Sequence, residues 1–171
     1  VEAHLIKDES RPTTLKERYR AQNQSLLRVS YLHHDSIDTS IQKLMLQQIE
    51  KIISDCSLLV FSDFNYGCLP QGFVDELINR VSRPDLIMTA DSQTSSQTGD
   101  ISRFRNMKLL TPTEREARIA LRNQQDGLVV ILEKLRELSQ ANNIILKLGS
   151  EGALLYLKEQ DNLPQVDRIS A

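Results

Sequence analysis

The chain has 171 residues, 26% of them charged and 40% hydrophobic, with 21 basic against 23 acidic side chains and a net charge of −2. That length suits one globular domain with a core of its own, and the charge balance excludes a protein held to nucleic acid by a broad basic surface. No apolar run reaches membrane-span length, and two cysteines, Cys56 and Cys68, exclude a disulfide framework, so a reduced, cytoplasmic setting is expected.

Residues 1–31 read as short strands that form a small antiparallel sheet. Val1 to Ile6 is a short, partly alternating run. Thr14, Lys16, Arg18 and Arg20 recur at period two and share one face of a strand, with Leu15 and Tyr19 on the other. Ser25 to Tyr31 is a further apolar run. The period then changes: Ile41, Leu44, Met45, Ile49, Ile52 and Ile53 predict a helix over residues 38–54. Ser57 to Asp63 is a continuous apolar run, the pattern of a parallel strand buried on both faces. Phe73, Val74, Leu77, Ile78 and Val81 predict a helix with Pro70 in its first turn. Leu86 to Met88 predicts a strand ending at Asp91, and a polar loop follows from Ser92 to Asp100. Met107 to Leu110 is a short strand, and Thr111-Pro112 opens a helix. Leu128, Ile131, Leu132, Leu135 and Leu138 predict another. Ile144 to Leu148 is a strand, and Gly149 to Gly152 turns it into an antiparallel neighbour at Ala153 to Leu157. Alternating α and β elements argue for an α/β fold with a mostly parallel sheet, its main part at residues 32–171.

In an open α/β sheet, ligands bind beyond the carboxyl ends of the strands. Asp63, Asp91 and Glu116 fall near three such ends. Grouped carboxylates suit magnesium, which prefers oxygen ligands; Asp and Ser are equally ordinary turn residues. Thr111-Pro112-Thr113-Glu114 satisfies a capping box, and Thr113 with Glu116 makes an overlapping one. A helix start of this kind also offers free N–H groups to a phosphate. Lys16, Arg18 and Arg20, with Arg11 and Arg28 nearby, suit an anionic substrate, a solvated face or a protected sheet edge. His33 and His34 read as surface residues, Cys56 as core, and Cys68 as a loop residue without a nucleophile motif.

Several segments together resemble the PfkB/ribokinase carbohydrate kinases, most closely their heptose-7-phosphate kinase branch. Arg11 to Arg18 and Asn23 to Val29 are similar to the family's lid strands. Leu59 to Gly67 resembles its strand–Ser–Asp–aromatic–x–x–Gly motif. Ser102-Arg103-Phe104-Arg105, followed by Leu110 to Glu116, resembles its Arg-Tyr-Arg and Thr-Pro-Asn-x-x-Glu region, and Leu146 to Ala153 its Gly-x-x-Gly-Ala turn. The resemblance implies a ribokinase-like fold, a β lid at residues 1–31, and ATP- and Mg2+-dependent phosphorylation of a sugar or sugar phosphate. It places Thr113, Glu116, Asp91, Lys147 and Gly149 toward the nucleotide, with Glu116 toward the metal. Lys16, Arg18, Asn23 and Asp63 go toward the sugar. It also admits pairing of two subunits through the lid. Thr113 stands where the family has Asn, and Ser92 and Gln93 where it has Pro and Lys. These departures keep open a kinase-like domain that binds ligand without turnover. Neither the family's Gly-Ala-Gly-Asp motif, which carries the base and anion hole, nor its early Gly-Gly-x-x-x-Asn segment occurs. The expectation is the central part of a longer kinase domain, inactive alone, with the base beyond Ala171. A receiver-type signalling module phosphorylated on Asp63 is a further, weaker match.

Overall fold

The computed structural model describes residues 2–22, 24–93, 99–160 and 163–171. The middle of the polar loop expected after Ser92 lies outside the described residues. Strands β1 (Leu15–Ala21) and β2 (Gln24–Tyr31) form a separate antiparallel ribbon. Lys16 stands opposite Ser30 and Arg18 opposite Arg28, so the period-two basic face exists. The register shift between Tyr19 and Arg20 leaves its extra residue, Leu26, in β2, so β1 keeps its period through Arg20. Residues 2–14 form no strand, contrary to the expectation for the opening run. Arg11 ties this segment to the body instead, donating to the carbonyls of Asp35 and Tyr66 at 3.0 Å each and pairing with Asp8 at 3.1 Å.

The body alternates as the pattern predicts. Helix α1 spans Thr39–Ile52, strand β3 Leu58–Asp63, helix α2 Gln71–Val81 and strand β4 Ile87–Ser92. Strand β5 is Leu109–Leu110, followed by α3 (Glu114–Leu121), α4 (Leu128–Ser139) and β6 (Asn143–Lys147). Strands β7 (Ala153–Gln160) and β8 (Leu163–Ile169) complete the sheet. The sheet order is β3-β4-β5-β6-β7-β8. Neighbours β3 to β6 are parallel, and β6 to β8 antiparallel.

One core joins Leu46 of α1, five residues of α2, Ala117 of α3 and three residues of α4 to a single face of this sheet: Phe61, Met88, Ala90, Leu110, Ile144, Leu146, Leu154 and Tyr156. In α2 the predicted stripe is the buried one, residue for residue. In α1 the stripe is rotated: Leu46 is buried, while Leu44 and Ile52 are exposed. Leu138 of α4 is exposed as well. Strand β3 also departs from expectation. Phe61 is buried, but Leu58 and Val60 are 51% and 55% exposed, because all four helices pack on the opposite face. Pro70 is the cap of α2 rather than part of its first turn. Helix α3 starts at Glu114, so the Thr111 capping box does not form; the overlapping one at Thr113 does.

Candidate functional site

Because β3, β4, β5 and β6 run parallel as neighbours, their carboxyl ends line one edge of the sheet. The polar residues of that edge divide between its two faces. Ser62 pairs with Asp91 and Asp63 with Ser92. Alternation therefore sends Asp63 and Ser92 to the helix-covered face and Asp91 to the other.

On the helix-covered side Asp63 is 3% exposed. Its Oδ1 accepts the Asn65 backbone N–H at 3.0 Å. Its Oδ2 accepts from the Arg103 guanidinium at 2.6 Å and from the Ser92 hydroxyl at 3.2 Å. Asn65, at φ 57°, donates its side-chain amide to the Ser92 hydroxyl (3.1 Å) and the Gln93 carbonyl (2.8 Å). Arg103 also donates to the Leu69 carbonyl at 2.9 Å and lies 4.4 Å from the Phe104 ring. Both carboxylate oxygens of Asp63 are thus engaged by the protein's own groups. A carboxylate so enclosed organises the loop after β3; it is not presented as a phosphate acceptor, and the receiver reading loses its central residue. In the sequence Arg103 is only one letter of a resembling motif, and nothing in its spacing marks it as the partner of Asp63.

On the opposite side, Lys147 Nζ donates to Asp91 Oδ1 at 2.7 Å, and the Thr111 hydroxyl donates to the same oxygen at 2.8 Å. This links β4, the end of β5 and β6. The chain entering α3 is held against β6 by the Lys147 N–H bond to the Pro112 carbonyl at 2.8 Å and by a parallel bridge between Thr113 and Lys147. Thr113 caps α3: its hydroxyl accepts the Glu116 N–H at 3.3 Å, and Glu116 returns a carboxylate oxygen to the Thr113 N–H at 2.7 Å. Glu116 is 8% exposed. Asp91, Lys147, Thr113 and Glu116 are therefore brought together at one helix start, where N–H groups and the helix dipole favour an anion. Gly149 follows at φ +64°, with open space where a Cβ would stand.

The ribbon presents its basic face to the end of β3. Lys16 Nζ lies 4.9 Å from the ring centres of both Phe64 and Tyr66, which stack on each other. Arg18 and Arg28 stand directly opposite each other on that face, an unfavourable pair unless an anion lies between them. Asn23 lies outside the described residues. His33 and His34 are exposed, Cys56 is half-buried rather than core, and Cys68 is exposed, accepting a bond from Arg11. An open cavity of about 600 Å³ lies beside Asn65, Asp100, Arg103 and Arg122. Another, of about 630 Å³, lies under the opening segment against Ile37, Ile41 and Met45. Neither is lined by Asp91, Lys147 or Glu116. Among the described residues no three His, Cys, Asp or Glu side chains group as a metal site, and no helix is long and apolar enough to cross a membrane.

No family model matches the chain. Among curated proteins it is 28% identical over 170 residues to the bifunctional protein HldE of Nitratiruptor sp., covering 97% of this chain and 35% of that protein. It is 26% identical over 166 residues to the HldE of Helicobacter acinonychis, covering 95% and 35%. Among solved structures, phosphofructokinase-2 from Escherichia coli in complex with fructose-6-phosphate superposes with a TM-score of 0.62 at 13% identity, covering 92% of this chain and 50% of that one. Ribokinase from Giardia lamblia gives 0.63 at 14% identity, covering 93% and 48%. The chain spans about a third of the length of those curated relatives and about half of those structures. In sequence the chain is a homologue of the bifunctional HldE proteins, and in architecture it has the ribokinase-like fold of the PfkB kinases.

Proposed function

We propose that these residues are part of an ATP-dependent carbohydrate kinase that transfers a γ-phosphoryl group to a hydroxyl of a sugar or sugar phosphate, with a heptose phosphate as the favoured class. The observation that carries this reading is the convergence of Asp91, Lys147 and the capped start of α3 at the carboxyl edge of the sheet. Phosphoryl transfer needs positioning and charge stabilisation more than covalent chemistry from the protein. Lys147 and the dipole at the start of α3 suit nucleotide phosphates, and the open backbone at Gly149 lets a ligand approach. Magnesium binds through one or two carboxylates plus substrate phosphates rather than a closed protein cage. Asp91 and Glu116 fit that role, directly or by orienting its waters. Bound Mg-ATP supplies the phosphoryl group and screens its charge. Lys16, Arg18 and Arg28 on the lid suit an anionic sugar. Asp63 acts on that site indirectly, by fixing the loop that carries Phe64 and Tyr66.

The reaction also needs a base to take the hydroxyl proton, and no Gly-Ala-Gly-Asp occurs in the chain. In this reading the 171 residues bind substrates without turning them over. The outward face of the lid, with Leu15, Tyr19, Leu27 and Tyr31 all more than half exposed, supports pairing of two subunits there. Calorimetric titration of the intact polypeptide with Mg-ATP tests the nucleotide site. Charge-assisted hydrogen bonds contribute about 1.5–3 kcal/mol, so Lys147→Met is expected to weaken binding by roughly 10- to 100-fold. Equal affinity of the two proteins would remove Lys147 from the site. A ligand-binding, non-catalytic domain is the second reading, favoured by the engagement of Thr113 and Glu116 in mutual capping. It predicts nucleotide binding without ADP release.

A further inference from the structure

The two connectors of the β1–β2 ribbon meet the body at one place, the loop that follows β3. The ribbon pairs with no other strand among the described residues, so its stance over the carboxyl edge is set at its base. On the way in, the Arg11 side chain is only 17% exposed and reaches four groups. Nη1 donates to the carbonyls of Asp35 and Tyr66, Nη2 donates to Cys68 Sγ at 3.1 Å, and Nε pairs with Asp8. Asp8 is itself held in a turn by bonds from the N–H and hydroxyl of Ser10. On the way out, the Ile37 N–H donates to the Gly67 carbonyl at 3.0 Å, and the His34 ring meets Tyr66 edge-on. Gly67 has φ +76°, and a Cβ there would stand 1.9 Å from the Asp35 carbonyl oxygen, so only glycine lets the exit connector lie this close. The same loop is fixed from its other side by Asp63, through Asn65, and by Arg103, through Leu69.

We propose that Arg11 is a positioning residue: its guanidinium pins both ribbon connectors to the loop after β3, with Gly67 making room for the second, and so sets where Lys16, Arg18 and Arg28 stand. A planar fork suits this task. Its donors leave in fixed directions and meet acceptors of three segments at once, whereas a lysine ammonium is a single point charge. The ribbon has little else to hold it. An isolated two-stranded ribbon is marginal in water. Arg18 and Arg28 face each other across the strands, which opposes its order. Lys16 Nζ lies 4.9 Å from the ring centres of Phe64 and Tyr66, a cation–π contact too weak to fix the ribbon alone. Arg11 acts through these three basic residues and not by contact with a substrate.

The test compares wild type, Arg11→Met, Arg11→Lys and Gly67→Ala in the intact polypeptide, by amide hydrogen exchange and by steady-state kinetics. The amides of β1 and β2 are expected to exchange more than about tenfold faster in Arg11→Met, with β3 to β6 unchanged. Gly67→Ala should give the same pattern with Arg11 in place, and it carries the test if Arg11→Met fails to fold. Arg11→Lys should recover only part of the protection. In kinetics, the positioning role raises KM for the sugar substrate by about tenfold and leaves KM for Mg-ATP as it was. A merely structural role would instead lower kcat, through a smaller folded fraction, at unchanged KM. The kinetic readout rests on the kinase reading; amide exchange does not, so a protein without turnover still decides the role of Arg11. Ribbon amides as slow in Arg11→Met as in wild type would overturn the proposal. So would exchange in β3 to β6 that rises in step with the ribbon in both Arg11→Met and Gly67→Ala. Full protection in Arg11→Lys would overturn it too, since charge alone would then suffice.

Discussion

Replacing Arg103 by Met isolates a buried ion pair. The substitution keeps an unbranched apolar side chain but removes the guanidinium, which lies 4.4 Å from the Phe104 ring centre and 2.6 Å from Asp63 Oδ2. The side chains of Arg103 and Asp63 are 14% and 2% exposed, so solvent does little to screen or replace the lost charge. The Asn65 N–H and the Ser92 hydroxyl remain, but both are neutral donors. Breaking a buried pair on one side typically costs about 3–5 kcal/mol, because the surviving charge is left uncompensated. Against a typical total of about 5–15 kcal/mol, that is a large share of domain stability. Asp63→Asn removes the charge and keeps the shape, so the double variant should recover much of the loss. Urea unfolding of the four proteins of this cycle reads the coupling, expected at about 2–3 kcal/mol. A cost below about 1 kcal/mol for Arg103→Met, or simple additivity in the double variant, would refute the reasoning and make the contact a surface pair in energetic terms.

Thr113→Ala removes the hydroxyl that caps α3 and should cost about 1 kcal/mol in denaturant unfolding, with Thr113→Ser restoring most of it. Gly152→Ala should destabilise far more than an exposed substitution. Its φ is +88°, and a Cβ there would stand 1.9 Å from the Ile169 carbonyl oxygen, so the β7–β8 pairing must shift; amide exchange in β8 reads this directly. Asp126 is held below the usual carboxylate range, first by the hydrogen bond from Lys134 and then by that from Asn123. A carboxyl depressed in the folded state stabilises above its unfolded value near 3.8, and that stability is lost as pH falls through the folded value. The stability difference between wild type and Asp126→Asn should therefore be present at neutral pH and shrink in acid; a pH-independent difference would contradict the assignment.

The fold is legible where local pattern and tertiary environment agree. Helix α2 is amphipathic with one clear stripe, and that stripe is the buried one. The Gly149 to Gly152 turn is marked by its glycines, and β6 and β7 pair antiparallel across it. Strand β8 is silent in the sequence, because Pro164 and a charged, non-alternating run obscure a strand defined by pairing to β7. Helix α1 has apolar residues on more than one stripe, and only the packed body selects Leu46. At the site, sequence places Asp63 and Asp91 on one edge, which is where they are. It does not distinguish the faces, since that depends on a one-residue register difference between β3 and β4. The Asp63–Arg103 and Asp91–Lys147 pairs join residues 40 and 56 positions apart, beyond the reach of local pattern.

The central claim is phosphoryl transfer at the Asp91–Lys147 edge. Its most direct test is ADP release by the intact polypeptide, given Mg-ATP and a panel of sugars and sugar phosphates that includes heptose 7-phosphate. The account predicts substrate-dependent ADP release, stoichiometric phosphorylation of a sugar hydroxyl, and loss of both in Lys147→Met with the fold retained. No ADP release above background with any member of the panel, or release unaffected by Lys147→Met, would contradict it.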